Sequence, residues 1–293
     1  DLITQEITIL NYDPSNKTVY ARANEQQFRN FEARNYFYEV PIHLNEVDED
    51  YIYDVRPLHS RSTAATNLSF PLATYPTYAE YVQQMQQFQT NYSDLVETFS
   101  IGFTTEGDKE LLFVKISDNI GTDEKEPKLL FTSSIHGDEI AGYPMMLSLI
   151  DYILTVYSNT GHTDHARIKN LVENAEIWIN PNANPDGTYY NDATNTSVAN
   201  ARRENANTLD LNRNYPDNVN GPHSNGHTSY ELETQHFMTL ADNNHFVLSA
   251  NFHGGVEVIN YPWDNTYDRH ADDDWFIQIS REYANNAQAN SPA

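Results

Sequence analysis

The sequence predicts an α/β fold, in which helices flank a mixed, mostly buried central sheet that follows a small α+β unit. Three observations support this fold class. Strand and helix patterns alternate after about residue 73, the strand candidates are strongly apolar, and a Ser/Thr/Pro-rich stretch at residues 59–74 separates them from an earlier group of short elements. We therefore expect a domain of residues 73–293, preceded by a unit of residues 1–72.

The first 72 residues show short elements in quick succession. Phe28 and Phe31 lie three apart, which places them on one face of a helix. The predicted elements are strands at residues 7–10 and 18–23, a helix at 25–34 and a third strand at 36–42. An acidic tract at residues 46–50 leads into the linker. This order of elements is compatible with a propeptide-like unit, an adhesion module or a structural cap.

The second region begins with an amphipathic helix at residues 78–91, where Tyr81, Met85 and Phe88 recur at helical spacing. Further strands are predicted at residues 110–117, 128–134, 176–180 and 246–252, and further helices at 140–157 and 275–287. In such folds functional side chains collect in loops at the ends of strands.

Composition limits the classes of partner. The net charge is −25, which disfavours nucleic acid and anionic membranes because both need basic surface. Acidity of this kind serves solubility in most proteins, and it also suits cationic peptide substrates. The apolar run at residues 145–156 is too short and too polar for membrane insertion, and the first residues do not resemble a signal peptide.

The sequence contains no cysteine, so any metal site must use His, Asp and Glu. His136 and Glu139 lie three apart where a predicted strand gives way to a helix, so both can point at one ion. Taken alone, this pair is better explained by a polar turn without metal. His253 favours a metal site over a plain turn, because it follows an apolar strand candidate and precedes two glycines that allow close backbone approach.

Polar residues that suit a carboxylate receptor lie between these histidines. The segment Asp210-Leu-Asn-Arg-Asn214 places Asn212 beside Arg213, and an arginine fork can bind a carboxylate through two hydrogen bonds. The earlier segment Asn184-Pro-Asp-Gly187 has the composition of a turn.

Taken in order, four motifs make the chain from about residue 73 resemble the zinc carboxypeptidase family, and in particular its branch of carboxypeptidases N, E and D. The motifs are His136-Gly-Asp-Glu139, Asn184-Pro-Asp-Gly187, Asp210-Leu-Asn-Arg-Asn214, and Asn251-Phe-His253-Gly-Gly255 leading to Asn260-Tyr-Pro-Trp-Asp264. The resemblance covers about three quarters of the chain.

The resemblance implies a zinc-dependent exopeptidase in which a zinc-bound water attacks the last peptide bond of a substrate. It implies one Zn²⁺ per chain, held by His136, Glu139 and His253. It further implies that Arg203 polarises the scissile carbonyl and that Asp210 orients the first zinc histidine, His136.

The resemblance also implies how substrate is bound. Asn212 and Arg213 match the pair that holds the terminal carboxylate of a peptide or protein. Asp264 falls where members specific for C-terminal Lys or Arg carry an acid, although a turn residue after Pro262-Trp263 is an equal alternative. The family works mostly outside the cytoplasm, so an extracellular or periplasmic location is expected.

The residues after His253 lack one family feature, the strand that carries a glutamate general base. Three explanations are open. The catalytic domain lacks its C-terminal part in this chain, Glu257 takes the role of the base, or the protein binds zinc and peptide C-termini without cutting them. Glu282 lies on a helical stretch and is expected to be solvated.

Overall fold

The computed structural model describes residues 8–22, 25–39, 68–122, 124–194, 196, 199–217, 219, 221–223, 227–255, 258–266 and 268–290. The chain contains two compact units, one of residues 42–255 and one of residues 1–41 with 256–293. The acidic tract and most of the expected linker lie outside the described residues. The domain boundary near residue 72 therefore stays a prediction.

The smaller unit begins with an antiparallel hairpin of β1 (Thr8–Asp13) and β2 (Thr18–Arg22), followed by helix α1 (Glu25–Glu32). Asp13 pairs with Thr18 across the turn. These elements confirm the predicted order of strand, strand and helix.

The third strand predicted at Tyr36–Ile42 is wrong over its described residues, 36–39, which form no strand. The ring of Tyr36 stacks on Phe31 at 5.6 Å, and Tyr38 packs against the same ring at 5.8 Å. The aromatic side chains that suggested a strand pack against the helix instead of against a sheet.

The larger unit is built on a mixed sheet, as predicted. Its strands are β3 (Val96–Phe103), β4 (Glu110–Ile116), β5 (Lys128–Ser133), β6 (Glu176–Asn180) and β7 (Leu248–Phe252), arranged in the order β3-β4-β6-β5-β7. β4 pairs antiparallel with β3 and β6, whereas β5 runs parallel to β6 and β7. The helices are α2 (Tyr78–Asn91), α3 (Gly142–Ser158), α4 (His165–Val172), α5 (Pro185–Thr188) and α6 (Leu232–Asn244).

Helices cover both faces of the sheet, which explains why β4 is apolar at successive positions. Leu112 and Val114 pack with α2, α3 and α4 on one face. Leu111 and Phe113 point to the other face, where Leu240 of α6 joins them. All five side chains are fully buried, and each such burial stabilises the fold by about 1.5–3 kcal/mol.

Helix α2 begins at the residue that its sequence predicts. The backbone N–H of Glu80 donates to Thr77 Oγ1 at 3.2 Å, and the N–H of Thr77 donates to Glu80 Oε2 at 2.8 Å. This reciprocal pair satisfies two backbone donors at the helix start. The helix buries Tyr81, Met85 and Phe88 as predicted.

The smaller unit ends with helix α7 (Asp273–Asn290), which is longer than the predicted 275–287. Tyr261 stacks on Phe276 at a ring distance of 5.6 Å. Glu282 is exposed, as expected, and accepts a hydrogen bond from Gln278 at 3.0 Å. Among the described residues, no helix is both long and apolar enough to span a membrane.

Candidate metal centre

The sheet register brings the two candidate histidine ligands together. β5 and β7 are parallel neighbours, and their last residues, Ser133 and Phe252, are partners across the pair. His136 follows the end of β5 and His253 follows the end of β7, so both emerge at the same edge. Their rings lie 4.8 Å apart.

Glu139 lies between the two histidines. Its Oε1 is 2.7 Å from His136 Nδ1, and its Oε2 is 2.7 Å from His253 Nδ1. One ligand atom from each residue falls within 4.8 Å of the others. Two imidazole nitrogens and a carboxylate oxygen form a donor set that zinc accepts in catalytic sites, so the residues present fit the ion.

The surroundings keep the Glu139 carboxylate charged. Burial alone would raise the pKa of Glu139, but hydrogen bonds from His136, the Gly254 N–H and His253 outweigh it. The pKa of this carboxyl is therefore below the usual value for glutamate, and the group is available as an anionic ligand.

Two glycines allow the backbone to approach closely at this point. A Cβ on Gly137 would lie 2.4 Å from the backbone of Gly187 and Thr188, which only glycine avoids. Gly254 donates its N–H to Glu139 Oε2 at 3.1 Å, and a Cβ there would come within 3.3 Å of the glutamate side chain.

The Asn184-Pro-Asp-Gly187 motif forms the short helix α5 and also supports the site. Asn184 is fully buried, and its Nδ2 donates to the carbonyls of Ile135 and Arg203, each at 3.2 Å. The Asn184 side chain thus links the backbone of Ile135, the residue before His136, to the backbone of Arg203.

Arg203 and Asp210 complete the polar cluster around His136. Asp210 Oδ1 lies 3.1 Å from His136 Nε2, while its Oδ2 accepts from Arg203 Nε at 2.9 Å and Nη2 at 2.8 Å. Arg203 Nη1 lies 3.0 Å from His136 Nδ1 and 3.6 Å from Glu139 Oε1. Burial would raise the pKa of Asp210, but Arg203 and His136 lower it below the usual range.

Asn205 shapes the loop that joins Arg203 to Asp210. Its side-chain oxygen accepts from the N–H groups of Asn207 and Leu209, both at 3.1 Å. Its amide nitrogen donates to Glu231 Oε2 at 2.8 Å. Since Asn205 is fully buried, these bonds fix the loop from inside.

Asn212 and Arg213 lie on a 3-10 turn, Leu211–Arg213, directly after Asp210. The N–H of Asn212 donates to Asp210 Oδ1 at 2.9 Å, which joins the turn to the cluster. Arg213 is exposed, and its Nη1 donates to the Asn212 carbonyl at 2.9 Å. Asn212 also lines a cavity of about 260 Å³ together with Thr132 and Asn251.

Asp264 belongs to the smaller unit. It has a positive φ of 53°, as a turn residue does, and it lines a cavity of about 300 Å³ within that unit. Tyr261, Trp263, Asp268 and Asp273 line the same cavity. Its role in substrate selection stays a prediction.

Two contacts at the site were not predicted from the sequence. The Gly254 N–H donates to Glu139, and Asn251 Nδ2 lies 3.2 Å from His253 Nε2. The spacing of Asn251 and His253 could have indicated the second contact, because side chains two apart along an extended chain point to the same side.

Comparisons with known proteins agree with this geometry. A family model described as zinc carboxypeptidase matches residues 81–292. Carboxypeptidase D of Homo sapiens is 35% identical over 210 residues, a match that covers 68% of this chain and 14% of that protein. The carboxypeptidase N catalytic chain of Homo sapiens is 31% identical over 209 residues, a match that covers 65% of this chain and 44% of that protein. The chain thus spans less than half the length of either relative.

Solved structures support the fold. The crystal structure of carboxypeptidase A from Helicoverpa armigera aligns with a TM-score of 0.62 at 20% identity, over 80% of this chain and 58% of that one. At this identity the likeness concerns the fold alone.

Proposed function

Because this chain belongs to the zinc carboxypeptidase family and matches its N/E/D branch, we propose that it is a zinc-dependent exopeptidase acting on peptide or protein C-termini. The observation that carries the proposal is the convergence of His136, Glu139 and His253, whose ligand atoms lie within 4.8 Å of one another. These residues would hold one Zn²⁺. When bound, the ion supplies Lewis-acid polarisation of the scissile carbonyl and an acidified water.

Arg203 is placed to act on the reacting carbonyl. Its Nε and Nη2 are held by Asp210, while Nη1 points to the metal ligands at 3.0 Å from His136 Nδ1. A guanidinium fixed in this way can donate to an oxyanion without reorganising. Arg203 is therefore the proposed catalytic residue.

Asn212 and Arg213 are the proposed receptor for the substrate's terminal carboxylate. They follow Asp210 directly, and the 3-10 turn presents an exposed guanidinium beside a half-buried amide. A terminal carboxylate bound there places the last peptide bond toward the metal, which explains removal of single residues.

A preference for C-terminal Lys or Arg is the finer part of the proposal. It rests on Asp264, on the similarity to carboxypeptidases D and N, and on a net charge of −25, which attracts cationic peptides. We also propose an extracellular or periplasmic location, as expected for this branch.

The test is mass spectrometry of peptides ending in Arg, Lys, Phe or Glu, incubated with the zinc-loaded chain with and without chelator. Each peptide has a C-terminally amidated twin as control. The proposal expects chelator-sensitive loss of single residues, fastest from Arg and Lys, and none from the amidated twins. Internal cleavage, or equal cleavage of both twins, would overturn it.

A second candidate is a module that binds zinc and C-terminal carboxylates without cleavage. It is favoured by the contacts of the two acids that the described part of the chain places at the cluster: Glu139 contacts both histidines, and Asp210 is paired with Arg203. Neither is free to act as a general base. This candidate predicts amidation-sensitive peptide binding with no turnover by a chain that carries stoichiometric zinc.

A further inference from the structure

Asn205 is a buried amide that contacts three separate segments of the chain. Its side-chain oxygen faces the backbone N–H groups of Asn207 and Leu209, both at 3.1 Å. Its side-chain nitrogen lies 2.8 Å from Glu231 Oε2 and 3.3 Å from Thr105 Oγ1. An N–H group can only donate and a carboxylate can only accept, so these partners determine the orientation of the amide.

The two partners of the Asn205 nitrogen lie at the ends of regular elements. Thr105 belongs to the turn between β3 and β4, and Glu231 directly precedes α6. Glu233, in the first turn of α6, is buried and accepts from the N–H of Thr105 at 2.9 Å and from its hydroxyl at 2.7 Å. The β3–β4 turn and the start of α6 are therefore joined to each other, and the Asn205 amide is attached to both.

The loop that Asn205 holds contains an unfavourable backbone conformation. Thr208 has a positive φ of 57°, which a β-branched residue rarely adopts. The backbone of Asn205 adds two bonds here: its carbonyl accepts from the Thr208 N–H, and its N–H donates to the Leu209 carbonyl, both at 3.0 Å. Such a conformation persists only where the surroundings fix it, so the shape of the loop depends on Asn205.

The shape of this loop determines where Asp210 lies relative to Arg203. At the first end of the loop, Asn184 Nδ2 donates to the Arg203 carbonyl at 3.2 Å, a contact that does not involve Asn205. At the other end, Leu209 is held by Asn205 and directly precedes Asp210. Loss of the Asn205 bonds is therefore expected to release the Asp210 end of the loop.

We propose that Asn205 is a positioning residue that keeps Asp210 in contact with Arg203. Its anchors, Thr105 and Glu231, belong to the β3–β4 turn and the start of α6, which carry none of the proposed site residues. The inference rests on the proposed function, in which Asp210 supports a zinc ligand and the catalytic arginine. The contact between Asp210 and Arg203 is a property of the chain itself, so it can also be tested without zinc.

Two substitutions break the support at different points. Asn205→Leu removes both ends of the amide, whereas Glu231→Leu removes only an acceptor of its nitrogen and changes a less buried residue. Glu231→Gln is the conservative counterpart, because its side-chain oxygen can still accept from Asn205. Thr98→Val is the matched control. It removes a buried hydrogen bond, to the Met85 carbonyl at 2.9 Å, on the strand at the opposite end of the sheet order from β7.

The first measurement follows the Nε–H of Arg203, which donates to Asp210 Oδ2 at 2.9 Å. Its ¹H–¹⁵N signal would be assigned with Arg203→Lys in the chain without zinc, and circular dichroism would verify folding. We expect slow exchange of this proton with solvent in wild type, Glu231→Gln and Thr98→Val. Faster exchange or loss of the signal is expected in Asn205→Leu and Glu231→Leu.

The second measurement is zinc affinity by chelator competition, in the wild-type background and in the Asp210→Asn background. Asn205→Leu is expected to weaken zinc binding by about tenfold in the wild-type background, at the lower end of the effect of partners that orient metal ligands. In the Asp210→Asn background the same substitution should change little, because the effects of residues that act through one contact are not additive. Thr98→Val should leave zinc affinity unchanged in both backgrounds.

Equal weakening by Asn205→Leu in both backgrounds would overturn the proposal, since the residue would then act through overall stability. A wild-type Arg203 signal in folded Asn205→Leu and Glu231→Leu would overturn it as well. If Asn205→Leu does not fold, the comparison of Glu231→Leu with Glu231→Gln decides in both measurements. A wild-type chain that binds no zinc refutes the proposed function, while the Arg203 signal still tests the position of Asp210.

Discussion

Asp210 Oδ1 lies 3.1 Å from His136 Nε2, so a carboxylate stands directly behind the first candidate zinc ligand. The other oxygen of the same carboxylate receives two hydrogen bonds from Arg203. Asp210 therefore orients two groups at once, the imidazole that would hold the metal and the guanidinium that would hold the reacting carbonyl. We expect its removal to change both zinc binding and the position of Arg203.

Asp210→Asn is expected to weaken zinc binding by about 10–100-fold, because the amide loses the charge that favours the ligating tautomer of His136. Chelator competition measures the change. Asp242→Asn, an exposed acid on α6, is the control and leaves zinc affinity unchanged. Wild-type affinity in Asp210→Asn would show that His136 does not depend on this partner.

Arg213→Met is expected to lower affinity for peptides with a free C-terminus by about 10–100-fold, since a hydrogen bond to a charged group contributes roughly 1.5–3 kcal/mol. Binding of an amidated peptide is expected to stay the same. Calorimetric titration of both peptides measures the difference. Arg167→Met, an exposed arginine paired with Asp164 on α4, is the control. An equal loss for both peptides would remove Arg213 from the carboxylate receptor.

Asp264→Ala is expected to reduce the preference for C-terminal Arg over Phe by roughly tenfold or more, because the substrate cation loses its charged partner. Added salt is expected to weaken binding of the basic peptide more than that of the neutral one in wild type. Competition between the two peptides measures the ratio, with the exposed Asp274→Ala as control. Unchanged selectivity would leave Asp264 as a turn residue.

Lys109→Met is expected to destabilise the fold by about 3 kcal/mol, because it leaves the buried carboxylate of Asp186 without its cation. Chemical denaturation measures the free energy of unfolding. Lys169→Met, which breaks an exposed pair with Glu173, is the control and costs less than about 1 kcal/mol.

The difference in unfolding free energy between wild type and Lys109→Met is also expected to depend on pH. Burial would lower the pKa of Lys109, but hydrogen bonds to Asp108 and Glu106 outweigh it and raise the pKa above its usual value. Because the pKa of Lys109 is higher in the folded state, its charge stabilises the fold. This stabilisation is complete below the pKa of lysine in the unfolded chain, about 10.4, and is lost as the pH rises through the pKa of Lys109 in the folded state. As pH rises from neutrality, the stability gap between wild type and Lys109→Met should therefore stay constant until alkaline pH and narrow there. A gap that already narrows as the pH is raised just above neutrality would contradict this assignment.

Local signals in the sequence were sufficient for several elements. Helix α2 and strand β6 have the predicted bounds, Tyr78–Asn91 and Glu176–Asn180. Helical spacing and a capping box define the helix, and a run of apolar residues between turns defines the strand. The order of four motifs was likewise enough to place the residues now seen around His136.

Other elements depend on long-range contacts. Strand β3 was not predicted because polar residues interrupt it, yet Thr98 is buried and donates to the Met85 carbonyl at 2.9 Å. Helix α6 was not predicted either, since few of its side chains, Leu240 among them, are apolar and buried. In both cases, contacts with residues distant in sequence stabilise the element, and the local sequence pattern does not reveal them.

The hydrogen bonds within the site could not be predicted from the sequence either. The contact of Asn251 with Thr132 follows from the register of β5 against β7, which no local pattern reveals. The loop from Arg203 to Asp210 is held by Asn205, whose partner Glu231 lies on a different segment. Motifs name the candidate ligands, whereas the fold determines which side chains contact each of them.

Zinc titration of the wild-type chain and of Glu139→Gln tests the central claim most directly. The account predicts one zinc per wild-type chain and a loss of affinity in Glu139→Gln larger than the roughly 10–100-fold that an outer partner contributes. Glu282→Gln, an exposed acid on α7, should bind as wild type does. A wild-type chain that binds no zinc, or a Glu139→Gln variant that keeps stoichiometric, tight zinc, would contradict the proposed metal centre.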